Sequence, residues 1–242
     1  MRLAFITGVS RGLGFALAKS LLALDYQVIG IGRSSHTELD QNIQYQFIAC
    51  DLSSKNICSD IGRQLEKQAN IELQQLILIN NAATAAPVGV MGDMSDDEII
   101  LSLQLNLTSA IQFANLFCRC FSAVSCDKRI VNISSGAAFT AIPGSGVYCI
   151  AKAGLEMLTK SIAVETDHHG VTAMSIQPGV IDTDMQTWLR QQDAKALPSV
   201  DMYQGFHDQQ QLISAGIVAE NIIQSALLAP ARNGESFSHD GQ

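Results

Sequence analysis

Apolar residues along the chain form short continuous runs that alternate with longer stretches of helical periodicity. The short runs are apolar nearly throughout, as is typical of parallel strands covered on both faces. Between them, apolar positions recur at the spacing of amphipathic helices. The predicted strands are Leu3–Thr7, Gln27–Ile31, Tyr45–Cys50, Leu76–Ile79, Arg129–Ile133 and Val171–Ile176. The predicted helices cover approximately residues 13–24, 54–69, 95–122, 147–167 and 216–228.

This alternation predicts an α/β fold with a doubly wound parallel sheet flanked by helices on both faces. No linker or repeat divides the 242 residues, so one domain over 1–242 is expected. Residues 184–212 lack clear periodicity and follow a strand end, so they form either a mobile substrate flap or a structural insertion. In such sheets ligands bind beyond the carboxyl ends of the strands, which makes the residues after each strand the functional candidates.

Composition and charge exclude several classes of protein. The chain is 47% hydrophobic and 16% charged, which favours a compact globule over disorder. Its net charge is −8 with scattered basic residues, which argues against a nucleic-acid partner. No apolar run approaches the ~20 residues that span a bilayer, and the N-terminal run is too short for a signal peptide, so we expect a cytoplasmic protein without a membrane partner. Six cysteines without metal-ligand spacing predict reduced thiols and no metal site.

A glycine-rich loop follows the first predicted strand and leads into the first helix. Its spacing is G-x-x-x-G-x-G, not the general dinucleotide fingerprint G-x-G-x-x-G. Glycines let the backbone turn sharply near a pyrophosphate, and the helix N-terminus offers it free N–H groups and a positive dipole end. The predicted cofactor contacts in this loop are Gly8, Ser10, Arg11, Gly12, Leu13 and Gly14.

The residues after the second strand indicate which form of the cofactor binds. An NAD enzyme usually carries Asp or Glu about 20 residues past the loop, where it bonds the ribose 2′-hydroxyl. This chain has Gly32 followed by Arg33, and Arg11 lies in the loop itself. Two guanidinium groups without a carboxylate favour a 2′-phosphate, so NADP(H) is predicted. The alternative is that these arginines are solvated surface charges.

Polar residues also follow the third and fourth strands. Asp51, which precedes Leu52, either accepts a bond from the adenine amino group or caps the next helix. Asn80 and Asn81 either tie neighbouring strands and face the cofactor or simply make a turn. The candidate cofactor contacts in these segments are Asp51, Leu52, Asn80 and Ala82.

A candidate catalytic set follows the fifth strand. Ser135 lies at its end, and Tyr148 and Lys152 are four residues apart in the next helix, hence on one face. A ketone that accepts hydride needs a proton, which a tyrosine can donate, and a lysine ammonium nearby is expected to lower the tyrosine pKa from ~10. Ser135 can bond the substrate oxygen. The spacing of Tyr148 and Lys152 alone would equally suit a pair of exposed residues on a helix. Because the pair follows the fifth strand and Ser135, a catalytic role is favoured.

Taken in order, these motifs resemble those of the short-chain dehydrogenase/reductase family over essentially the whole chain. The shared motifs are Thr7-Gly8-x-x-x-Gly12-x-Gly14, Asn80-Asn81-Ala82, Ser135, Tyr148-x-x-x-Lys152 and Pro178-Gly179. The resemblance implies a Rossmann-like sheet and hydride transfer with a nicotinamide. It makes Tyr148 the acid–base group, Ser135 the carbonyl polariser and Lys152 a ligand of the nicotinamide ribose.

The resemblance also adds residues that no pattern singles out. Asn106 would hold a water that links Lys152 to solvent as a proton relay. The stretches at 133–136 and 183–186 look closest to the sepiapterin reductase and benzil reductase branch, which reduces pterin side-chain ketones or compact vicinal diketones with NADPH. The residues implied around the carboxamide end of the nicotinamide are Pro178, Gly179, Ile181 and Thr183.

Two departures from the family pattern concern the cofactor and the substrate. Ala83 stands where the family has glycine, so it would be strained if that position required positive φ; a slightly shifted loop is the alternative. Sepiapterin reductases carry an acidic pterin anchor near the carboxyl terminus, and neither Glu235 nor Asp240 falls at that position. A pterin substrate is therefore not favoured.

We expect an NADP(H)-dependent oxidoreductase that reduces a small ketone or vicinal dicarbonyl, with Tyr148 as proton donor. One alternative is a 3-oxoacyl-thioester (carrier protein) reductase, which would need a basic patch for its acidic carrier. Another is a non-catalytic NADP(H)-binding regulator. The family usually assembles through the helices predicted here at about 95–122 and 147–167, so a homodimer or homotetramer is expected.

Overall fold

Within residues 1–54, 58–69 and 72–241, which the computed structural model describes, seven parallel strands form one sheet. The strands of the chain are β1 (Arg2–Thr7), β2 (Gln27–Gly32), β3 (Tyr45–Ala49), β4 (Gln75–Asn80), β5 (Asp127–Ile133), β6 (Val171–Gln177), β7 (Ile181–Asp182), β8 (Ile213–Ser214) and β9 (Ser236–Ser238). The sheet order is β3-β2-β1-β4-β5-β6-β9, and β7 pairs separately with β8. The order reverses between β1 and β4, which is where doubly wound sheets bind their ligands.

Helices connect the strands and cover both faces of the sheet. They are α1 (Gly12–Ala23), α2 (Cys58–Gln68), α3 (Asp96–Leu103), α4 (Ser109–Phe121), α5 (Gly146–Val164), α6 (Thr166–His169), α7 (Asp184–Arg190), α8 (Val200–Asp208) and α9 (Ala215–Ile222). Two π-helical segments, Gln104–Thr108 and Ile223–Leu228, continue α3 into α4 and extend α9. A short 3₁₀ turn, Gly136–Ala138, follows β5.

The alternation of side chains along β1 shows why helices pack on both faces. Ala4 and Ile6 are fully buried in a cluster with α1 and α9. Leu3 and Phe5 are fully buried in a second cluster with α2, α4 and α5, where the Phe5 and Phe121 rings lie 6.0 Å apart. A strand with four consecutive apolar residues, here 3–6, fits a sheet covered on both sides. The predicted doubly wound fold is therefore confirmed.

All six predicted strands occur in the structure, with ends that differ by one or two residues. The sequence did not predict β9, which has only three residues and a single buried apolar side chain, Phe237. The helix predicted over 95–122 is broken by a π-helical segment, and the one predicted over 147–167 ends at Val164. Residues 55–57 of the helix predicted over 54–69 lie outside the described residues.

The stretch Asp96–Phe121 is apolar and long enough to cross a membrane by length and composition alone. In the fold it is a core element, because Phe113, Phe117 and Phe121 are buried against the sheet. Amphipathic helices of a globular core pass the same test of length and composition.

The segment without periodicity at 184–212 contains two short helices, α7 and α8. Its ends are held together by β7 and β8, with Ile181 opposite Ile213 and Asp182 opposite Ser214. The segment therefore leaves the sheet region and returns to it at one place, where β7 pairs with β8. We refer to residues 184–212 as the flap.

Candidate active site

Ser135, Tyr148 and Lys152 meet beyond the carboxyl end of β5. Ser135 caps the 3₁₀ turn after β5, and its Oγ accepts a hydrogen bond of 3.1 Å from the Ala137 N–H. Tyr148 lies in the first turn of α5, with Lys152 one turn later on the same face. The Ser135 side chain is close enough to Tyr148 to favour the ionised form of the phenol, which lowers its pKa in part. The structure thus brings together three of the four predicted catalytic residues.

The Lys152 ammonium is buried under the site. Its side chain is 2% exposed, and Nζ donates a hydrogen bond of 2.6 Å to the Ile133 carbonyl. Nζ lies 5.5 Å from the centre of the Tyr148 ring. Burial lowers the Lys152 pKa to about 8, and the negative charge of Glu156 partly opposes this shift. The Lys152 ammonium, which lies next to the tyrosine, therefore loses its proton more readily than an exposed lysine does.

The Tyr148 pKa corrects a prediction from the sequence. Burial raises it to about 12, and the nearby Ser135 hydroxyl only partly opposes that effect. We expected Lys152 to lower this pKa; instead, Lys152 is itself desolvated and bonded to the Ile133 carbonyl. In the protein without cofactor, Tyr148 is therefore a protonated phenol at neutral pH, the form that a proton donor requires.

Buried polar bonds fix α5 against the sheet. Asn132 Nδ2 donates to Thr159 Oγ1 at 2.8 Å, and Ser175 Oγ donates to Glu156 Oε1 at 2.8 Å. Asn80 Nδ2 in turn donates to Asn132 Oδ1 at 2.8 Å. Asn80 Nδ2 thus ties β4 to β5, while its buried Oδ1 has no hydrogen-bond partner among the described residues.

Asn106 lies in the π-helical segment between α3 and α4 and is 1% exposed. Its Oδ1 accepts from the Thr84 N–H at 2.8 Å, and its Nδ2 donates to the Thr84 carbonyl at 2.9 Å and to Ser102 Oγ at 3.1 Å. One amide hydrogen and Oδ1 therefore fasten the helix to the loop after β4, and the other amide hydrogen bonds Ser102 within the helix. A relay water, as the family resemblance implies, would have to be held by the main chain rather than by the amide N–H groups of Asn106.

Thr7 and Asn81 shape the cofactor loop, although neither was among the predicted site residues. Thr7 Oγ1 accepts from the N–H groups of Asn81 and Ala82 at 2.9 and 3.0 Å. Asn81 Nδ2 donates to the carbonyls of Thr7 and Gly8 at 2.9 and 3.1 Å. For Asn81 the sequence offered either a tie between neighbouring strands or a turn, and these bonds make the tie between β1 and β4. The part that Thr7 plays in this tie was not predicted.

Two glycines of the loop have no room for a side chain. A Cβ on Gly14 would lie 2.1 Å from the Gly8 carbonyl oxygen, and one on Gly8, at φ +75°, would lie 2.9 Å from Ala82 Cα. Leu13 is buried in the core, so it offers only main-chain groups to a cofactor. The spacing of the loop glycines thus follows from the close approach of three chain segments.

Ala83 is accommodated without strain. Among the described residues other than glycine, positive φ occurs at Asp25 and Gln210, and Ala83 is not one of them. The loop therefore does not require the positive φ at position 83 that would favour glycine.

The adenosine end of the predicted site carries Arg33 and Asp51, exposed where β2 and β3 end. Asp51 Oδ1 accepts from the Ser53 N–H at 3.0 Å and from Ser53 Oγ at 2.7 Å. These bonds, with a smaller contribution from Arg33, lower the Asp51 pKa. Asp51 thus makes a local turn, and its neighbour Leu52 is buried in the core.

The two arginines predicted to bond a 2′-phosphate have different surroundings. Arg11 Nη1 pairs with Asp184 Oδ2 at 2.9 Å, which joins the cofactor loop to the flap. Both side chains are largely exposed, so the pair is weak. Arg33 remains at the end of β2, with Gly32 beside it.

The predicted nicotinamide segment closes the other side of the site. A Cβ on Gly12 would lie 3.3 Å from Thr183 Cγ2, so the glycine loop and the start of α7 approach each other. Gly179, at φ +72°, follows Pro178 and lies under the His239 ring. His239 follows β9, and because β9 was not predicted from the sequence, neither was this contact.

The surface beside Tyr148 is apolar and uncharged. Residues 84–92 and 136–147 contain no Asp, Glu, Lys or Arg. A cavity of about 320 Å³ lies between the loops at 89–91 and 141–146, although Ser135 and Tyr148 do not line it. The lining residues Val90 and Met91 have exposed apolar side chains.

Comparisons with known proteins agree with this geometry. A family model described as short chain dehydrogenase matches residues 2–194. Benzil reductase ((S)-benzoin forming) from Bacillus subtilis is 31% identical over 243 residues, covering 98% of both chains. The same-named protein from Bacillus cereus is 31% identical over 230 residues, covering 92% of both. A short-chain dehydrogenase/reductase structure from Saccharomyces cerevisiae, 22% identical, shares the fold with a TM-score of 0.84 over 99% of this chain and 96% of that one.

Proposed function

The chain belongs to the short-chain dehydrogenase/reductase family of nicotinamide-dependent oxidoreductases, and we propose that it reduces a small apolar ketone or vicinal diketone with NADPH. The observation that carries the proposal is the meeting of Ser135, Tyr148 and Lys152 at the end of β5, beside loops that bear no charge. Such loops favour neutral, apolar substrates, because they offer no partner to an ionised group.

The residues around the cofactor loop fit a dinucleotide. Gly8 and Gly14 let the start of α1 pack closely against Asn81 and Ala82, and a Cβ on Gly32 would have its nearest neighbour, the Gly8 nitrogen, at 3.8 Å. The main chain of the glycine loop would hold the pyrophosphate, and Arg33 would bond the 2′-phosphate. When bound, NADPH supplies the hydride for the carbonyl carbon.

The protein's own groups complete the reduction. The Ser135 hydroxyl donates a hydrogen bond to the substrate oxygen and holds it near Tyr148. Tyr148, a protonated phenol below its pKa of about 12, donates its proton to that oxygen as negative charge develops there. Lys152, whose Nζ lies 5.5 Å from the centre of the Tyr148 ring, would bond the ribose of the bound cofactor beside the tyrosine.

The carrier-protein reductase alternative is less well supported. An acidic carrier needs a basic surface near the site, and this chain has a net charge of −8 with no Lys or Arg in residues 84–92 and 136–147. The two relatives matched over nearly their full length are benzil reductases, whose name denotes an aromatic vicinal diketone. A benzil-like ketone is therefore the substrate class that we propose.

Purified protein tests this function through NADPH and NADH oxidation with benzil, 2,2,2-trifluoroacetophenone and an acetoacetyl thioester. We expect NADPH-dependent turnover of both ketones, with kcat/KM for NADH lower by about tenfold or more, as for loss of a charge-assisted bond. Arg33→Ala should remove most of that preference, whereas Arg119→Ala, at an exposed position of α4, should not. Preference for NADH would contradict the cofactor proposal.

The same assay separates the alternatives. Turnover of the thioester alone would favour the carrier-protein reductase. Tight NADPH binding without turnover of any carbonyl compound would favour the regulator.

We also propose that the protein assembles through its α3–α5 surface. That surface exposes Ile100, Leu101, Ile111, Met157 and Val164, which is more apolar area than isolated surface residues explain. Light scattering should show a dimer or tetramer, and Leu101→Lys with Met157→Lys should shift it toward the monomer. A monomeric parent protein would contradict this proposal.

A further inference from the structure

The flap places a second tyrosine next to the reaction centre. Tyr203 of α8 is partly buried, and its hydroxyl oxygen lies 3.5 Å from Ser145 Oγ. Ser145 is 2% exposed and directly precedes α5, three residues before Tyr148. The two tyrosines are close enough that a charge on Tyr203 raises the Tyr148 pKa.

The flap holds this tyrosine firmly in place. The Tyr203 ring packs against a small apolar cluster whose buried members are Ala85, Leu189, Leu197 and Val200. Ser199 Oγ donates to the Pro143 carbonyl at 2.8 Å, which fastens the start of α8 to the loop before α5. With its ring packed in this cluster, Tyr203 directs its hydroxyl toward the start of α5.

The contact with Ser145 is a poor hydrogen bond. Hydroxyl pairs in proteins usually lie at about 2.7–2.8 Å, and 3.5 Å is well beyond that. Among the described residues, Ser145 is the one partner of the Tyr203 hydroxyl. A partly buried hydroxyl that is weakly bonded gains from a better acceptor, which a substrate oxygen would supply.

Ser135 and Tyr148 bond the oxygen that is reduced, so a second donor on the flap side suits a substrate with a second oxygen on the adjacent carbon. We propose that Tyr203 donates a hydrogen bond to the unreduced carbonyl of a vicinal dicarbonyl and thereby sets the preference for that substrate class. The inference rests on the proposed carbonyl reductase function and narrows its substrate. Tyr203 would act in binding and orientation and would not donate the proton.

The test is Tyr203→Phe, with benzil compared against 2,2,2-trifluoroacetophenone, an activated ketone that lacks the second carbonyl. We expect kcat/KM for benzil to fall about tenfold, mostly through a higher KM, and that for trifluoroacetophenone to change less than about twofold. Tyr26→Phe is the matched control, because the Tyr26 hydroxyl bonds Gln75 at the amino ends of the strands, the end of the sheet opposite the site. It should change neither value.

The outcomes separate the two proposals. If the parent protein reduces neither ketone, the proposed function fails. If it reduces benzil but Tyr203→Phe loses nothing, or loses equally on both ketones, the inference about Tyr203 is overturned while the function stands. Should trifluoroacetophenone bind without reacting, its inhibition constant replaces KM in the comparison.

Discussion

Lys152 is the residue whose environment differs most from that of a surface lysine. Its ammonium is buried, donates to the Ile133 carbonyl and lies one helical turn from the buried carboxylate of Glu156. Burying a charge is unfavourable even when the charged group is hydrogen-bonded. The buried ammonium beneath Tyr148 is therefore better explained by a role in the reaction than by a gain in stability. The spacing of Tyr148 and Lys152 was predictable from the sequence, whereas the direction of both pKa shifts was not, because desolvation depends on the packed fold.

Burial of Lys152 predicts a pH-dependent stability. Its pKa is about 8 in the folded protein and 10.5 for an ordinary lysine, so between these values the unfolded chain binds more protons. The contribution of Lys152 to the free energy of unfolding therefore increases as the pH rises from about 8 to about 10.5. Urea denaturation should show the parent protein gaining stability relative to Lys152→Met over this range.

Lys160→Met is the matched control, since Lys160 is exposed on the same helix. Its difference from the parent protein should stay flat over the same pH range. A Lys152→Met difference that is equally flat would mean that the lysine is not perturbed by burial.

At the scale of elements, the loop between β1 and α1 follows most directly from the sequence. Glycines at fixed spacing after an apolar strand predicted the loop, and the structure gives each its steric reason. The elements that the sequence did not predict have no clear periodicity of apolar residues. β9 exists through its pairing with β6, and α7 and α8 are too short to be stable without the packing around Leu197.

Gly14→Ala should disrupt the loop. Its Cβ would lie 2.1 Å from the Gly8 carbonyl oxygen and 2.4 Å from Asn81 Nδ2, so the brace between β1 and β4 must move. We expect a loss of stability of about 1–3 kcal/mol and a rise in the Kd for NADPH, measured by thermal denaturation and by fluorescence titration.

Gly216→Ala serves as the comparison in a second helix, α9, where a Cβ has nothing within 4 Å. It should stabilise the protein by up to about 1 kcal/mol, since alanine favours a helix over glycine. If Gly14→Ala behaved like Gly216→Ala, the steric account of the loop would be wrong.

The whole molecule combines a rigid sheet with a flap that packs on it through few residues. The core clusters on the two faces of the sheet fix the ends of β1, β4 and β5, where the cofactor loop and Ser135 lie. The flap adds the small cluster around Leu197 and the exposed pair Arg11–Asp184. We therefore expect substrate binding to respond to changes in the flap more than cofactor binding does.

Leu197→Ala tests this division. Leu197 is fully buried in the flap cluster, and its truncation should loosen α7 and α8 while leaving the sheet intact. The KM for benzil should rise several-fold with little change in the Kd for NADPH. Leu73→Ala, at a buried position of the sheet cluster, should lower the melting temperature without raising this KM, and an equal rise in both variants would contradict the role of the flap.

The most direct test of the account is Tyr148→Phe, measured as NADPH-dependent reduction of benzil together with NADPH binding. We predict that kcat falls about 10²–10⁴-fold, because the proton donor is lost, while the Kd for NADPH changes less than about threefold. A Tyr148→Phe protein that reduces benzil at the parent rate would contradict the assignment of Tyr148 as the acid, and with it the proposed mechanism.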